Sequence, residues 1–200
     1  TRGEGTALNN LGLNYYKQGN LKLAESILFE GVRVLESLRG QKLNGQKLND
    51  SDKVSLFDTQ SSIYRILQLV LTAQNKHDAS LEIAERGRAR AFVELLASQV
   101  SSNPQEQLLN PPNIDQIKQT AKAQNATLVQ YSIITDDFKV GGRQKAEESE
   151  LYIWVIKPTG EVTFRKADLK PLWQKENINL NSLVISSRQS INVRSRGIQV

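Results

Sequence analysis

The residue types that most often carry covalent or metal chemistry are scarce in this sequence. It contains no cysteine and no methionine, and its only histidine is His77. A cysteine nucleophile, a thiolate metal site and a disulfide are therefore excluded within the chain. A lone histidine has no second histidine or cysteine to share a metal with, and we interpret His77 as a structural or surface residue. We expect no catalytic residue, no cofactor, no metal site and no enzyme activity of this chain alone.

Polar side chains at helical spacing are better candidates, because they can hold another protein without covalent chemistry. Asn10, Asn14 and Lys17 recur at steps of four and three residues, so they share one face of a helix. On the first helix of a helical hairpin, such a face is available to a bound segment. We predict that these three residues contact a protein or peptide partner.

An arginine-rich segment offers a second candidate for binding. Arg86 and Arg90 are one helical turn apart, and their shared face can attract an anion or a carboxylate of a partner. Glu94 follows one turn later. The alternative is a surface pair of Glu94 with Arg90, which is worth about 0.2–0.5 kcal/mol.

The charge balance is basic, with a net charge of +5 and a pI of about 9.4. The basic residues are mostly scattered among acids, so we favour a solvated basic surface and expect no nucleic-acid binding. The longest apolar stretch, Leu67 to Ala73, is far shorter than the ~20 residues that cross a bilayer. The N-terminus also lacks the apolar run of a signal peptide. We expect a cytoplasmic protein without a membrane segment.

The elements that position these residues are predicted from the spacing of apolar side chains. In the first 40 residues they recur every three or four positions, which indicates helices at about 6–18 and 21–39. Gly19 and Asn20 interrupt the period and predict a tight turn between two antiparallel helices. Gly12 and Ala24 are small where the two helices cross, and a larger side chain there would push the axes apart.

This pattern resembles the tetratricopeptide (TPR) repeat, a helical hairpin of about 34 residues. The match reads Leu8-x2-Leu11-Gly12-x2-Tyr15, followed by Gly19, Ala24 and Leu28. The sequence departs from the pattern in having Leu8 in place of Trp, Leu28 in place of Phe and Glu36 in place of Pro. The resemblance implies a concave groove that holds a protein segment.

A second, longer hairpin is predicted at about 52–74 and 77–98, with its turn at Asn75 and Lys76. Ser80 takes the place that Ala24 holds in the first hairpin. Between the hairpins the segment GQKLN occurs twice in succession, which we interpret as a duplication in a mobile loop. We therefore assign residues 1–100 to a TPR-like region.

The second half changes from helical to strand periodicity. Residues 101–113 contain three prolines and are predicted to be a linker, followed by a short helix with Ile114, Ile117 and Ala121 on one face. Strands are predicted at 127–134, 150–157 and 161–167, with a charged flexible loop between the first two. The turn at 158–160 makes the last two a β-hairpin. The fold class is therefore α+β, and residues 114–200 form the second domain.

The order of parts resembles bacterial TPR–CHAT proteins, best known in cyanobacteria. Degenerate repeats, the helix ERGRARAFVELLA, a linker, and the strands ATLVQYSII and ELYIWVIKPTGEVTFRKADL carry the resemblance. CHAT domains are caspase-like α/β peptidases with a His and Cys pair. That pair is absent here, so the resemblance implies only the opening segment of such a domain and transfers no catalytic residue.

Two functions follow as expectations. The first is a protein-interaction scaffold attached to an incomplete, non-catalytic CHAT segment, whose neighbour in the same protein is one of its partners. The alternative is a regulatory fragment of a cysteine peptidase whose His and Cys lie in downstream sequence. We expect the chain to be a fragment. We also expect its open sheet, with an exposed apolar face at Trp154 and Ile156, to dimerise or to be partly disordered after about residue 170.

Overall fold

The computed structural model of the chain describes residues 1–42, 50–99, 112–140, 143–176 and 178–190. Over these residues it has seven helices and one three-stranded antiparallel sheet, so the predicted α+β class is confirmed. The helices are α1 (Arg2–Lys17), α2 (Leu21–Lys42), α3 (Asp50–Ala73), α4 (His77–Gln99), α5 (Ile114–Ala123), α6 (Lys170–Lys175) and α7 (Leu180–Ser190). The strands are β1 (Leu128–Val140), β2 (Arg143–Ile156) and β3 (Val162–Asp168), with β2 in the centre.

The elements belong to two compact units. One comprises Thr1–Leu128 and Ile156–Val162 and contains α1 to α5. The other comprises Val129–Val155 and Thr163–Val200 and contains most of the sheet with α6 and α7. The domain limits 1–100, 101–113 and 114–200 remain a prediction, and most of the proposed linker lies outside the described residues.

The first hairpin forms where the apolar spacing predicts it. Gly19 ends α1 with φ of 76°, a left-handed conformation that glycine adopts without a steric penalty. The backbone N–H of Asn20 donates to the carbonyl of Tyr15 at 2.9 Å, so the turn is closed by the chain itself. Gly12 lies against Leu28, and a Cβ built on this glycine would be 2.5 Å from the Leu28 Cγ atom. The small residue therefore sets how closely α1 and α2 approach.

The second hairpin repeats the geometry of the first. Asn75 takes the left-handed position with φ of 59°, and the N–H of Lys76 donates to the Leu71 carbonyl at 2.9 Å. Ser80 is fully buried, like Ala24 at the matching place. Its hydroxyl needs partners there, and it has them in the Thr72 hydroxyl at 3.1 Å and a backbone carbonyl of α3 at 3.3 Å.

One apolar core joins the hairpins, because α3 packs against both α1 and α2. Gly31 of α2 lets Ile63 of α3 pack closely against the helix backbone. At the turn end, the Lys76 ammonium donates to the Glu25 carboxylate at 2.5 Å. The buried core residues are Ala24, Leu28, Val32, Leu35, Ile63, Tyr64, Ile66, Leu67, Val70, Leu71 and Ile83.

Helix α5 continues the helical unit by packing against α4. Asn113 caps it, since its Oδ1 accepts from the Gln116 N–H at 2.9 Å while the Gln116 side chain accepts from the Asn113 N–H at 2.9 Å. Ile117 and Ala121 are buried, as the predicted apolar face requires. Asn125 then ends the helix with φ of 45°, as Gly19 and Asn75 do after α1 and α3.

The sheet has one buried and one open face. On β2 the buried residues alternate as Tyr152, Trp154 and Ile156, each with at most 1% of its surface exposed. The rings of Tyr152 and Trp154 meet edge to face at 5.9 Å between centroids. The expectation that Trp154 and Ile156 form an exposed face was wrong. Both faces of β2 are apolar, so the alternation alone does not say which face is covered.

One further expectation for the second unit is corrected. The charged segment between the first two strands is not mainly a loop, because β1 continues to Val140 and β2 begins at Arg143. Beyond residue 170 the described residues include α6 and α7, and the expected dimerisation or partial disorder of this part stays a prediction. Glu148 holds both helices, since its carbonyl accepts from the Trp173 indole at 2.8 Å and its carboxylate accepts from the Leu180 N–H at 2.7 Å.

Candidate protein-binding surface

The predicted polar stripe lies on the outer face of α1. The inner face of this helix is fixed by Gly5 and Gly12, which contact Leu35 and Leu28 of α2. The rotation of α1 about its axis is therefore set by packing. Asn10, Asn14 and Lys17, which we call the α1 stripe, are all exposed as a consequence. At a rise of 1.5 Å per residue, the stripe is about 10 Å long.

The α1 stripe offers two amides and one ammonium to a partner. The Asn14 Oδ1 accepts a hydrogen bond from the Gln18 side chain at 3.3 Å, which orients the amide and leaves its N–H groups to donate outward. Within the described part of the chain, the side chains of Asn10 and Lys17 have no hydrogen-bond or ion-pair partner. Amides can pair with peptide N–H and C=O groups, and the ammonium can pair with a carboxylate.

Asn9, beside the stripe, is a residue that the sequence analysis did not identify. It is 8% exposed and lies between α1 and α3, where its Nδ2 donates to the Ser62 hydroxyl at 3.3 Å. Its Oδ1 is buried and has no hydrogen-bond partner among the described residues. A buried acceptor without a hydrogen bond lowers the stability of the fold by about 1–3 kcal/mol. A hydrogen-bond donor added next to the Asn9 Oδ1 would therefore stabilise the protein. The signal in the sequence was a polar residue on the apolar side of α1.

Arg86 lies close to an acidic side chain of another helix, a contact that the sequence analysis did not identify. Its guanidinium is 3.9 Å from the Glu36 carboxylate of α2, which also accepts from the Tyr64 hydroxyl of α3 at 3.1 Å. Leu35 packs near the start of α1, so Glu36 and Arg86 lie at the opposite end of the hairpin from Lys17. The side chains of Arg90 and Glu94 lie outside the described residues.

A substitution of Arg86 separates a structural from a binding role. The ion pair is long and half-exposed, so Arg86→Gln is expected to reduce the free energy of unfolding by less than about 1 kcal/mol. Arg88→Gln is a matched control, since Arg88 is exposed and pairs at 2.8 Å with Glu85 of its own helix. Urea unfolding of both variants measures the difference, and a loss of several kcal/mol for Arg86 would contradict this prediction.

Other kinds of site find no support in the described part of the chain. No group of three or more His, Asp or Glu side chains is placed there to hold a metal ion. His77 begins α4 and is half-buried, with no second histidine in the sequence. Among the same residues, no helix combines the length and the apolar character needed to cross a membrane.

The two stacked helical hairpins, with a glycine at the crossing of the first, are compatible with TPR-like repeats. The chain is 33% identical over 150 residues to "Tetratricopeptide repeat protein 28" of Mus musculus. It is 32% identical over 159 residues to the protein of the same name from Homo sapiens. These matches cover 75% and 79% of this chain but only 5% and 6% of the two relatives. The chain thus spans a small part of their length.

The length of the match carries further information. It exceeds the stretch from Thr1 to Gln99 that the two hairpins occupy, so the similarity extends into the second half of the chain. No family model and no solved structure matches the chain. The relatives support TPR-type repeats, which was the first of the two resemblances predicted from the sequence.

Proposed function

We propose that the chain is a scaffold segment that binds an extended protein segment along the α1 stripe. The observation that carries the proposal is the exposure of Asn10, Asn14 and Lys17 on a helix whose rotation is fixed by close packing. Two amides one turn apart can pair with successive backbone groups of a peptide. Lys17 adds a positive charge at one end, which favours a partner with an acidic residue there. Arg86 and Arg90 remain candidates for a second contact.

We propose further that the second half is the opening segment of a CHAT-like, caspase-like domain. Its support is the order of strands β1, β2 and β3 after the helical unit, together with the sequence resemblance already described. In this proposal the scaffold binds its own neighbouring domain as well as another protein. The protein would act in the cytoplasm of a bacterium, as the resemblance to cyanobacterial TPR–CHAT proteins implies. Nucleic acid is not among the proposed partners.

Selection from a displayed library of random peptides, with the full chain immobilised, tests whether the α1 stripe binds a peptide. We expect acidic peptides to be enriched, and their affinity to fall about tenfold or more in Asn10→Ala/Asn14→Ala/Lys17→Glu. Fluorescence anisotropy of a labelled peptide from the selection measures the dissociation constant.

A matched control uses the other helix of the same hairpin. Lys22 and Ser26 are exposed on α2, and Lys22→Glu/Ser26→Ala makes the same change in charge as the test variant. This control should bind the peptide as the unchanged chain does. Equal loss of binding in both variants would show a general effect of charge, and retention of binding by the α1 variant would rule out the stripe.

The peptidase alternative has its own test. If the parent protein is a cysteine peptidase, its downstream sequence must supply the histidine and the cysteine that this chain does not offer as a pair. The chain contains no thiol, so this alternative expects no thiol-dependent cleavage by the pure 200-residue chain. Such cleavage would contradict the assignment of the catalytic pair to downstream sequence.

A further inference from the structure

The outer strand of the sheet carries an unusual surface. β1 is at one edge, with β2 as its only hydrogen-bonded neighbour in the described sheet. Its alternating residues Val129, Tyr131 and Ile133 are 47%, 60% and 46% exposed. Edge strands in natural proteins usually carry a charge or a proline that prevents pairing with another chain. The stretch 127–135, TLVQYSIIT, contains neither.

The same stretch is chemically palindromic. In antiparallel pairing of two copies about Tyr131, Val129 of one copy faces Ile133 of the other, and Tyr131 faces Tyr131. On the opposite face Gln130 meets Ser132. At the ends of the stretch threonine meets threonine, and leucine meets isoleucine. Directly opposed aliphatic, aromatic and small polar pairs of this kind stabilise antiparallel strands.

The acidic residues also fit this register. Asp136 is exposed just beyond the stretch, and in a pairing about Tyr131 it faces the uncharged Ala126 of the other copy. No like charges are therefore opposed along the paired segment. A contact in which the same patch meets itself is the kind that closes as a two-fold dimer. The order of residue types about Tyr131 is complementary to itself, so a second copy of β1 matches it residue by residue.

We propose that β1 is a dimerisation strand, which pairs antiparallel with β1 of a second copy of this chain about a two-fold axis at Tyr131. The pairing joins two three-stranded sheets into one of six strands through backbone hydrogen bonds between the two edges. It also covers part of the exposed surface of Val129, Tyr131 and Ile133. The proposal concerns the second unit and does not depend on the α1 stripe.

Sedimentation velocity of the full chain over a range of concentrations is the first test. We expect a monomer–dimer equilibrium, and Tyr131→Arg should raise the dimer dissociation constant about tenfold or more, because two cations then face each other at the axis. Ile185→Arg is the matched control. Ile185 is 46% exposed on α7, as exposed as Ile133, and lies in the same unit.

Crosslinking tests the register and does not depend on how the arginine variant folds. Because the natural chain has no cysteine, Tyr131→Cys introduces a single thiol that meets its own copy across the axis. Mild oxidation should give a covalent dimer, while Val129→Cys alone should give little. A mixture of Val129→Cys and Ile133→Cys chains should crosslink to each other. Ile185→Cys serves as the control for random contact.

Three outcomes would overturn the proposal. The chain could be monomeric at every concentration, which would leave the edge for another partner or for other sequence of the same protein. The dimer could survive Tyr131→Arg and dissociate in Ile185→Arg, which would place the contact on α7. Crosslinking could be as efficient at residue 185 as at residue 131, which would show that it is unspecific.

Discussion

Replacing Trp154 by alanine is expected to lower the free energy of unfolding of the sheet unit by about 3–5 kcal/mol. The indole is fully buried, and its ring centroid is 5.3 Å from that of Phe164 and 5.9 Å from that of Tyr152. Truncation leaves a cavity that these two rings line on both sides. Aromatic pairs also contribute about 0.5–1.5 kcal/mol beyond the burial of their area, and two such contacts are lost.

The measurement is urea unfolding followed by the fluorescence of Trp173, the only other tryptophan. Trp173 is in the same unit, where its indole N–H is hydrogen-bonded to Glu148, so it reports on the same folded structure. Trp154→Phe should lose less, because a ring remains. Val184→Ala on exposed α7 should change the free energy by less than about 0.5 kcal/mol. If Trp154→Ala lowered the free energy of unfolding no more than Val184→Ala does, the result would contradict the burial of the Trp154 side chain.

Gly12→Ala is expected to destabilise the helical unit by about 1–3 kcal/mol, although alanine is the better helix former. The added Cβ would lie 2.5 Å from Leu28 Cγ and 2.6 Å from its Cδ2. Leu28 is fully buried, so the two helix axes must separate or Leu28 must leave its rotamer. The propensity gain from replacing a helical glycine, about 1 kcal/mol, is smaller than this cost.

Gly3→Ala is the control on the same helix. A Cβ at Gly3 meets nothing within 4 Å, so only the propensity term remains and the variant should gain about 0.5–1 kcal/mol. The opposite sign of two glycine-to-alanine changes nine residues apart is therefore the expected result in thermal and urea unfolding. Gain of stability in both variants would show that α1 and α2 do not approach as closely as described.

The sequence predicted the helical unit well because its signals are local. Apolar steps of three and four residues located both hairpins, and the turns at Gly19 and Asn75 were found because left-handed positions favour glycine and asparagine. Gly12 was also predicted to lie where α1 and α2 cross, and the structure places it against Leu28 of α2. Each of these features depends on residues close together in the chain.

The candidate surface was predicted only in part. Asn9 and Asn10 are neighbours of the same type, and their difference comes from the rotation of α1 against α2 and α3, which buries one and exposes the other. The sequence could not reveal this without knowing where α3 lies. The partner of Arg86 was missed for a similar reason, since Glu36 is distant in sequence and reaches it only when α2, α3 and α4 are stacked.

By itself, the sequence determined the absence of cysteine chemistry, the two hairpins, the short helix at Ile114 and the central position of β2. Composition and local periodicity are sufficient for these. Only the tertiary structure decided that Trp154 is buried while Tyr131 is exposed. It also decided that Arg86 is paired, whereas the Lys17 side chain has no partner among the described residues. Both outcomes depend on which faces the distant elements cover, and a residue's own neighbours along the chain do not specify that.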